Sequence, residues 1–304
     1  PLSQLMVLPF TIITVMTFSA NVIVIICVRR YRPLRSHNNL FVVSLAIADL
    51  IVGICVMPFM TIYSLYGYWP LSQKWCNAWI ATDLTCTTIS IVNLCLIAND
   101  RCLALTQPMR YRQPSRKRTV LIQIGAAWST VAFVVMPLVI NTHIELQGPT
   151  CEGQCVLNPA KEIVLTEAVI IYYIPIATMI ALYARCILYL HRRHSMIEAR
   201  HIRNPTAVLE PTATVSGHIV TIAEQSSRWR VYIRNIRTLG IIMVIFLFCW
   251  LPFSLFWPID AYCGDCIPVE WHKYSFWTAY LNSAINPLLY FIANRDFRMA
   301  FIKV

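Results

Sequence analysis

The chain has 304 residues, of which 58% are hydrophobic and only 13% charged, and its mean hydropathy is +0.59. Soluble domains average about 45–50% apolar and about 25% charged residues, so this composition argues against a water-soluble fold. The net charge of +11 would suit a nucleic-acid-binding protein, but the positions of the basic residues argue against that class.

Seven apolar runs are long enough to cross a bilayer of about 30 Å. They lie near residues 5–28, 40–64, 75–99, 119–142, 163–190, 238–260 and 274–292, and we number them spans 1 to 7. Residues 1–304 are therefore predicted to form one all-α domain, a seven-transmembrane helix bundle. It includes a long cytosolic loop at about 191–237 and the start of an amphipathic helix at about 295–304. Pro58, Pro137 and Pro175 lie inside spans and predict kinks rather than helix ends.

The charged residues predict how the bundle is oriented. All but three of the 25 Lys and Arg residues fall in the loops that follow spans 1, 3, 5 and 7, and the exceptions are Lys74, Lys161 and Lys273. Basic loops stay in the cytosol. Five cysteines lie in or beside the opposite loops, where disulfides form. Both signals predict an N-terminus outside and a C-terminus inside, and a basic excess that reflects topology rather than nucleic-acid binding.

Three acids lie inside predicted spans: Asp49, Asp83 and Glu167. A charged side chain at the bilayer centre costs at least about 2.5–3.5 kcal/mol and is a candidate functional group. None has an obvious Lys or Arg partner within the spans, so protonation, a metal ion or a cationic ligand must compensate each one. Arg101 lies eighteen residues after Asp83 on the same span, about 27 Å along the helix axis. One helix therefore connects an acid near the outer side of the membrane to a cation at the inner side.

Each span also carries a short motif. In order these are Asn21; SLAIADL; Cys76 with Asp100-Arg101-Cys102; Trp128; Pro175 with Tyr183; FLFCWLPF; and NPLLY. Seven motifs in this order resemble those of the rhodopsin-like (class A) G-protein-coupled receptors, over nearly the whole chain. The resemblance implies a plasma-membrane receptor and not an enzyme. Its expected partners are a heterotrimeric G protein and membrane lipid, with an arrestin and a receptor kinase as further candidates.

Further residues resemble the aminergic branch of that family. Asp83 lies seven residues after Cys76, where these receptors place the carboxylate that pairs with a ligand ammonium group. A desolvated carboxylate among aromatic rings offers a cation one ion pair and several π faces. The resemblance therefore implies a site for a small protonated amine, formed by Asp83, Thr87, Glu167, Trp250, Phe253, Ser254, Phe276, Trp277 and Tyr280.

Span 5 departs from the catecholamine receptors of that branch. It has Glu167, Ala168 and Ile171 where they have serines, which favours histamine or a diamine bridging Asp83 and Glu167. The alternative is that Glu167 reaches water. An acetylcholine or other monoamine receptor then stays open, as does an orphan receptor with high basal activity. A proton or amine transporter is the alternative from another class, because intramembrane acids can relay protons.

Asp49 has a different expected role. Together with Ser90, Asn282, Ser283 and Asn286 it matches the family's allosteric sodium site. Oxygen ligands of this kind suit a hard cation, and a water-filled polar network is the alternative. No other cofactor is expected.

The resemblance also implies switching and disulfide residues. The residues of the switch and of G-protein coupling are Ile91, Asp100, Arg101, Met109, Pro175, Tyr183, Phe246, Pro287 and Tyr290. Tyr232 stands at the base of span 6 where many relatives place a Glu, which predicts no ionic latch to Arg101 and raised ligand-independent signalling. Cys76 is expected to bridge to Cys155. Cys263 and Cys266 are expected to form a local disulfide, with zinc as the weaker alternative.

Overall fold

The computed structural model describes residues 2–303 apart from 112, 114, 136, 138–154, 156–160, 204–212, 216–217, 221 and 265. Within this part of the chain, the spans are helical over Leu2–Arg30; Asn39–Tyr66; Gln73–Thr106; Arg116–Val135; Lys161–Arg203; Ile222–Cys263; and Val269–Ala293. Shorter helical segments follow spans 1, 3 and 7, at Arg32–Leu34, Pro108–Tyr111 and Arg295–Lys303.

Five helices of the described chain are long and apolar enough to cross a membrane. They are Val7–Arg30, Asn39–Tyr66, Gln73–Thr106, Lys161–Arg193 and Gly240–Cys263. The predicted span 4 continues into residues 138–142, outside the described residues. Span 7 is more polar because it carries Asn282, Ser283 and Asn286, all of which face the interior with at most 5% exposure.

Three spans widen into a π-helical turn just before a proline. The turns are Val52–Val56, Val131–Val135 and Val169–Tyr173, and each ends two residues before Pro58, Pro137 or Pro175. A proline ring collides with the carbonyl four residues earlier and supplies no N–H, and a wider turn accommodates both effects. The kinks expected at these prolines therefore take the form of an inserted residue in the helix.

The described residues between spans 5 and 6 include regular secondary structure. Span 5 continues as a helix to Arg203, and span 6 begins at Ile222. Between them, Ala213–Val215 pairs with His218–Val220 in an antiparallel hairpin, with Thr214 opposite Ile219. This hairpin is a small departure from an all-α chain, and it lies outside the bundle.

Polar side chains connect the spans internally, whereas large apolar side chains cover the outside. Asn21 Nδ2 donates to the Ser283 carbonyl at 3.1 Å, and Trp128 Nε1 donates to Ser44 Oγ at 3.0 Å. Phe133 and Phe248 are 78% and 66% exposed on the outer surface. This distribution is the one expected when the surrounding solvent is lipid.

The two ends of the bundle differ in charge. We call the end at Arg30, Arg101 and Arg295 the basic end. We call the opposite end, which carries the disulfides Cys76–Cys155 and Cys263–Cys266, the pocket end. Span 2 ends toward the pocket end at Gly67, whose φ of 73° is the left-handed conformation that closes a helix at low cost.

Candidate functional site

Asp83 lies on span 3 with one carboxylate oxygen satisfied and the other open. Its Oδ2 accepts a hydrogen bond from the Tyr280 hydroxyl of span 7 at 2.9 Å. Its Oδ1 is buried and has no hydrogen-bond partner among the described residues. An ionised carboxylate can accept about four hydrogen bonds. Burying a carboxylate oxygen without a hydrogen-bond donor costs free energy. Asp83 therefore has the capacity to accept a charged donor.

Aromatic side chains of spans 6 and 7 form a continuous wall that includes Tyr280. The Phe253 ring lies 4.7 Å from that of Phe276, which lies 6.3 Å from Tyr280. Trp277 packs perpendicular to Tyr280 at 5.8 Å and parallel to Phe10 of span 1 at 3.8 Å. The sequence predicted all of these rings except Phe10. They supply apolar surface and π faces beside the acid.

Tyr172 is the site residue that sequence reasoning missed. It is 2% exposed, and its ring stacks on Trp250 at 5.4 Å and meets Phe253 edge-on at 5.6 Å. It interacts electrostatically with both Asp83 and Glu167. Tyr172 therefore links the two predicted acids to the floor of the aromatic wall.

Glu167 is buried, with 4% exposure. It lies five residues before Tyr172, which is itself part of the π-helical turn Val169–Tyr173. A π-helix repeats at about five residues rather than four, so this turn brings Glu167 and Tyr172 to one face. The burial disfavours the alternative in which Glu167 reaches water.

Two predicted ligand-binding hydroxyls are engaged by their own helices. Thr87 Oγ1 donates to the Asp83 carbonyl at 2.6 Å, and Ser254 Oγ donates to the Leu251 carbonyl at 3.1 Å. Tyr173 of span 5 donates to the Ser254 carbonyl at 2.8 Å. The hydroxyl groups of Thr87 and Ser254 thus donate to backbone carbonyls of their own helices, so their protons are not free to bind a ligand.

Two disulfides organise the pocket end. Cys76, at the start of span 3, is bonded to Cys155, whose backbone is hydrogen-bonded to the Tyr63 hydroxyl. Cys263 is bonded to Cys266. Beside them, Asp260 accepts from the Ile267 N–H at 2.8 Å and pairs with His272 Nε2 at 2.9 Å. Because both cysteine sulfurs are used in the disulfide, the zinc alternative loses its ligands.

Asp49 lies at the centre of a hydrogen-bond network. Its Oδ1 accepts from Ser90 at 3.0 Å and from Ser283 at 2.8 Å, and its Oδ2 accepts from Asn286 at 2.8 Å. Asp49 is fully buried, and among the described residues it forms no ion pair. Asn282 is buried nearby in span 7, and its Nδ2 lacks a partner in the described part of the chain.

At the basic end, Asp100 pairs with Arg116 rather than with Arg101. Arg116 Nη2 lies 2.6 Å from Asp100 Oδ1, and the Tyr111 hydroxyl donates to Oδ2 at 3.2 Å. Burial, followed by the charge of Asp100, raises the pKa of Tyr111. Arg101 itself forms no ion pair with any described residue, and the Tyr232 side chain lies outside the described residues.

The remaining predicted switch residues lie between the pocket and the basic end. Ile91 and Phe246 are buried in one cluster, and Cys95 Sγ lies 3.7 Å from the Pro175 carbonyl. Pro287 lies inside the span 7 helix, which also carries Tyr290, whose buried hydroxyl lacks a described partner.

Tyr183 of span 5 fixes the approach of span 6. A Cβ added to Gly240 would lie 2.9 Å from the Tyr183 hydroxyl oxygen, so only glycine fits there without a shift. Met109, the apolar residue predicted for G-protein coupling, is 84% exposed at the basic end.

Comparison with known proteins identifies the family. The family model described as "7 transmembrane receptor (rhodopsin family)" matches residues 20–290. The chain belongs to this family. It is 32% identical to "Dopamine receptor 1" of Drosophila melanogaster, over 97% of this chain and 61% of that protein. It is 31% identical to "Alpha-1A adrenergic receptor" of Bos taurus, over 93% of this chain and 64% of the relative.

A third relative is "Octopamine receptor beta-2R" of Chilo suppressalis, which is 32% identical over 95% of this chain and 76% of its own length. The chain thus spans less than two thirds of some relatives. The predicted resemblance to the aminergic branch of the rhodopsin-like receptors is confirmed. The predicted seven-transmembrane helix bundle is also confirmed. The chain is a multi-pass protein of the plasma membrane, and it is a receptor and not an enzyme.

Proposed function

We propose that the chain is a receptor that binds a small protonated amine at Asp83 and then activates a heterotrimeric G protein. The observation that carries this proposal is the open, buried Oδ1 of Asp83. An ammonium group donates hydrogen bonds in several directions, so it can satisfy Oδ1 while Tyr280 keeps Oδ2. The Arg-rich loops support an N-terminus outside the cell and a basic end in the cytosol.

The aromatic wall supports a small organic cation rather than a metal ion. Rings within about 6 Å of a cation attract it through their negative faces. Trp250, Phe253 and Tyr280 are each at most 7% exposed, so a ligand ammonium would exchange its water for these faces and one carboxylate.

Within this class, we propose histamine or a diamine as the ligand. The burial of Glu167, and the position of Tyr172 close enough to interact electrostatically with both acids, support a pocket that accommodates two basic groups. A second basic group of the ligand would pair with Glu167, whereas a ligand with one cation would pair with Asp83 alone.

A monoamine with a phenol ring is the second candidate, and the relatives named for dopamine and octopamine favour it. Against it, span 5 presents Glu167, Ala168 and Ile171 rather than serines. Acetylcholine, an orphan receptor with high basal activity and a proton or amine transporter also remain alternatives. Transport would be supported by net flux of a labelled amine into vesicles that contain the receptor.

Binding of an amine panel tests the ligand proposal. Histamine, short diamines, tyramine, serotonin and acetylcholine would be measured on the wild type, Asp83→Asn and Glu167→Gln. Loss of one charged contact in a desolvated site costs about 2–5 kcal/mol. We expect both substitutions to weaken histamine or a diamine by at least about 30-fold. Weakening by Asp83→Asn alone would leave a monoamine receptor, and failure of the whole panel would remove the amine assignment.

Asp49 and its partners fit a sodium ion. The donor set holds a buried carboxylate and the hydroxyls of Ser90 and Ser283, with the amide oxygens of Asn282 and Asn286 on the same span as Ser283. Hard cations prefer such oxygens. Sodium would supply positive charge to Asp49 in the bilayer. We expect sodium to change agonist affinity in the wild type and not in Asp49→Asn, measured by agonist competition with and without the ion.

We also propose that the receptor signals without ligand. The base of span 6 offers Tyr232 where many relatives have a Glu that would pair with Arg101. We expect G-protein activation above that of cells with an empty vector. Introducing Tyr232→Glu should lower it. A basal level equal to the empty vector would contradict the proposal.

A further inference from the structure

A polar cavity lies at the basic end, apart from the candidate amine site. Its volume is about 350 Å³, and its walls come from span 3, the segment after it, span 4 and span 5. The wall residues that carry the argument are Cys102, Arg110, Arg116, Thr119, Gln123 and Arg185. We call it the anion cavity, for the reasons that follow.

The charge of the anion cavity has one sign. Three guanidinium groups line it, and none of its described wall residues is acidic. Asp100, which binds Arg116 from behind the wall at 2.6 Å, compensates one of the three. Arg110 and Arg185 form no ion pair with a described residue. The cavity therefore keeps an uncompensated positive charge.

Two buried polar atoms of the wall lack partners in the described chain. Arg116 is 7% exposed, and its Nε is buried without an acceptor. Gln123 Oε1 is also buried without a donor. Leaving such groups unsatisfied costs about 1–3 kcal/mol each. Both residues line the cavity, so a ligand with acceptor oxygens and at least one hydroxyl would meet a guanidinium and an amide whose hydrogen-bonding capacity is not used up.

One residue of the cavity wall is smaller than the family's usual residue at its position. Cys102, 2% exposed, follows Asp100-Arg101 where the family usually has tyrosine. A tyrosine ring in this wall would occupy much of the space.

We propose that the anion cavity binds an inositol phosphate group, either free or as the headgroup of a phosphorylated inositol lipid. Guanidinium forks match phosphate oxygens bidentately, and the inositol hydroxyls suit Gln123 and Thr119. An acidic segment of a partner protein could also approach the exposed Arg110 and Arg185, but it would leave the buried Arg116 Nε unsatisfied.

The test measures binding to the purified full chain without an amine, so its result is independent of the amine proposal. Labelled receptor in detergent would be titrated with inositol trisphosphate, dioctanoyl phosphatidylinositol bisphosphate, dioctanoyl phosphatidylserine and inorganic phosphate. Arg110→Gln with Arg185→Gln removes two charges from the cavity. Lys117→Gln with Arg192→Gln is the matched control, because both residues are exposed and neither lines the cavity.

We expect the cavity pair to weaken the inositol bisphosphate lipid by about tenfold or more, because hydrogen bonds to charged groups are the strong ones. The control pair should stay within about twofold. Cys102→Tyr should weaken binding without any change of charge. If inositol trisphosphate binds as tightly as the lipid, the free inositol phosphate is a sufficient ligand. If the lipid binds more tightly, the ligand is the headgroup of a membrane lipid.

Three results would overturn the proposal. One is equal weakening by the cavity and control pairs, which would mean general surface attraction. Another is phosphatidylserine binding as tightly as the inositol lipid. The third is a cavity pair that impairs activation of the G protein while inositol phosphate binding is unchanged, which would assign these arginines to the protein partner.

Discussion

Asp49 and Asp83 are both acids inside the bundle, but their carboxylates have opposite hydrogen-bond inventories. Asp49 accepts three hydrogen bonds from spans 3 and 7. Asp83 accepts one, from Tyr280, and keeps a buried oxygen open. The first arrangement holds helices together, and the second is incomplete without a ligand. Burial alone therefore does not distinguish an acid that is held by several donors of the protein from an acid that keeps an oxygen open to a ligand ammonium group, whereas the count of donors does.

The largest expected effect is on the open carboxylate. Asp83→Asn removes the charge that would pair with the ammonium, and amine affinity should fall by at least about 30-fold, which corresponds to the lower end of about 2–5 kcal/mol. Competition binding on membranes measures it. Asp296→Asn, the same substitution at an exposed position of the basic end, should leave affinity unchanged. A similar affinity in Asp83→Asn and wild type would place the amine elsewhere.

The next effect is on the carboxylate of Asp49, and it should appear in stability. Ser283→Ala removes a 2.8 Å hydrogen bond to a buried carboxylate, worth about 1.5–3 kcal/mol. Ser275→Ala is the control on the same helix, because its hydroxyl donates only to the His272 carbonyl. The thermal midpoint in detergent should fall further for Ser283→Ala. Equal shifts would mean that the Asp49 network adds nothing beyond an ordinary hydrogen bond.

The smallest effect is on the orientation of Asp83. Tyr280→Phe removes its only described donor, and with it the restraint that leaves Oδ1 open. This is a hydrogen bond to a charged acceptor, worth about 1.5–3 kcal/mol, but the ion pair with the ammonium group is kept in the variant, so we expect amine affinity to fall by only about three- to tenfold. Tyr274→Phe, on the exposed side of span 7, is the control. An unchanged affinity in Tyr280→Phe would mean that Asp83 needs no orienting partner.

The sequence predicted these acids because motifs carry most of the information about them. The order of spans follows from the apolar runs, whereas the resemblance to the rhodopsin-like receptors implied the grouping of Asp49 with its three donors and the position of Asp83 near Tyr280. Tyr172 was not predicted, because the α-helical period places Ile171, four residues after Glu167, on the same helix face as Glu167. The π-helical turn adds one residue to that period, so Tyr172 lies on this face instead.

The partner of Asp100 was equally hidden. The segment after span 3 holds several basic residues in close succession, and their spacing does not distinguish Arg116 from its neighbours. The pairing depends on where span 4 begins and how it packs on span 3. It is therefore a tertiary property that local patterns do not encode.

The π-helical turn in span 5 also has a consequence for how such a receptor could change. Deleting one residue within 169–173 would convert the wide turn into an ordinary one, and everything before it would rotate by about 100° about the helix axis. Glu167 would leave the pocket face, whereas Pro175 and Tyr183 would keep their phase. Deletion of a single codon would thus alter ligand preference in one step and leave the part of span 5 that carries Pro175 and Tyr183 unchanged. Substitutions alone would need several steps to reach the same result.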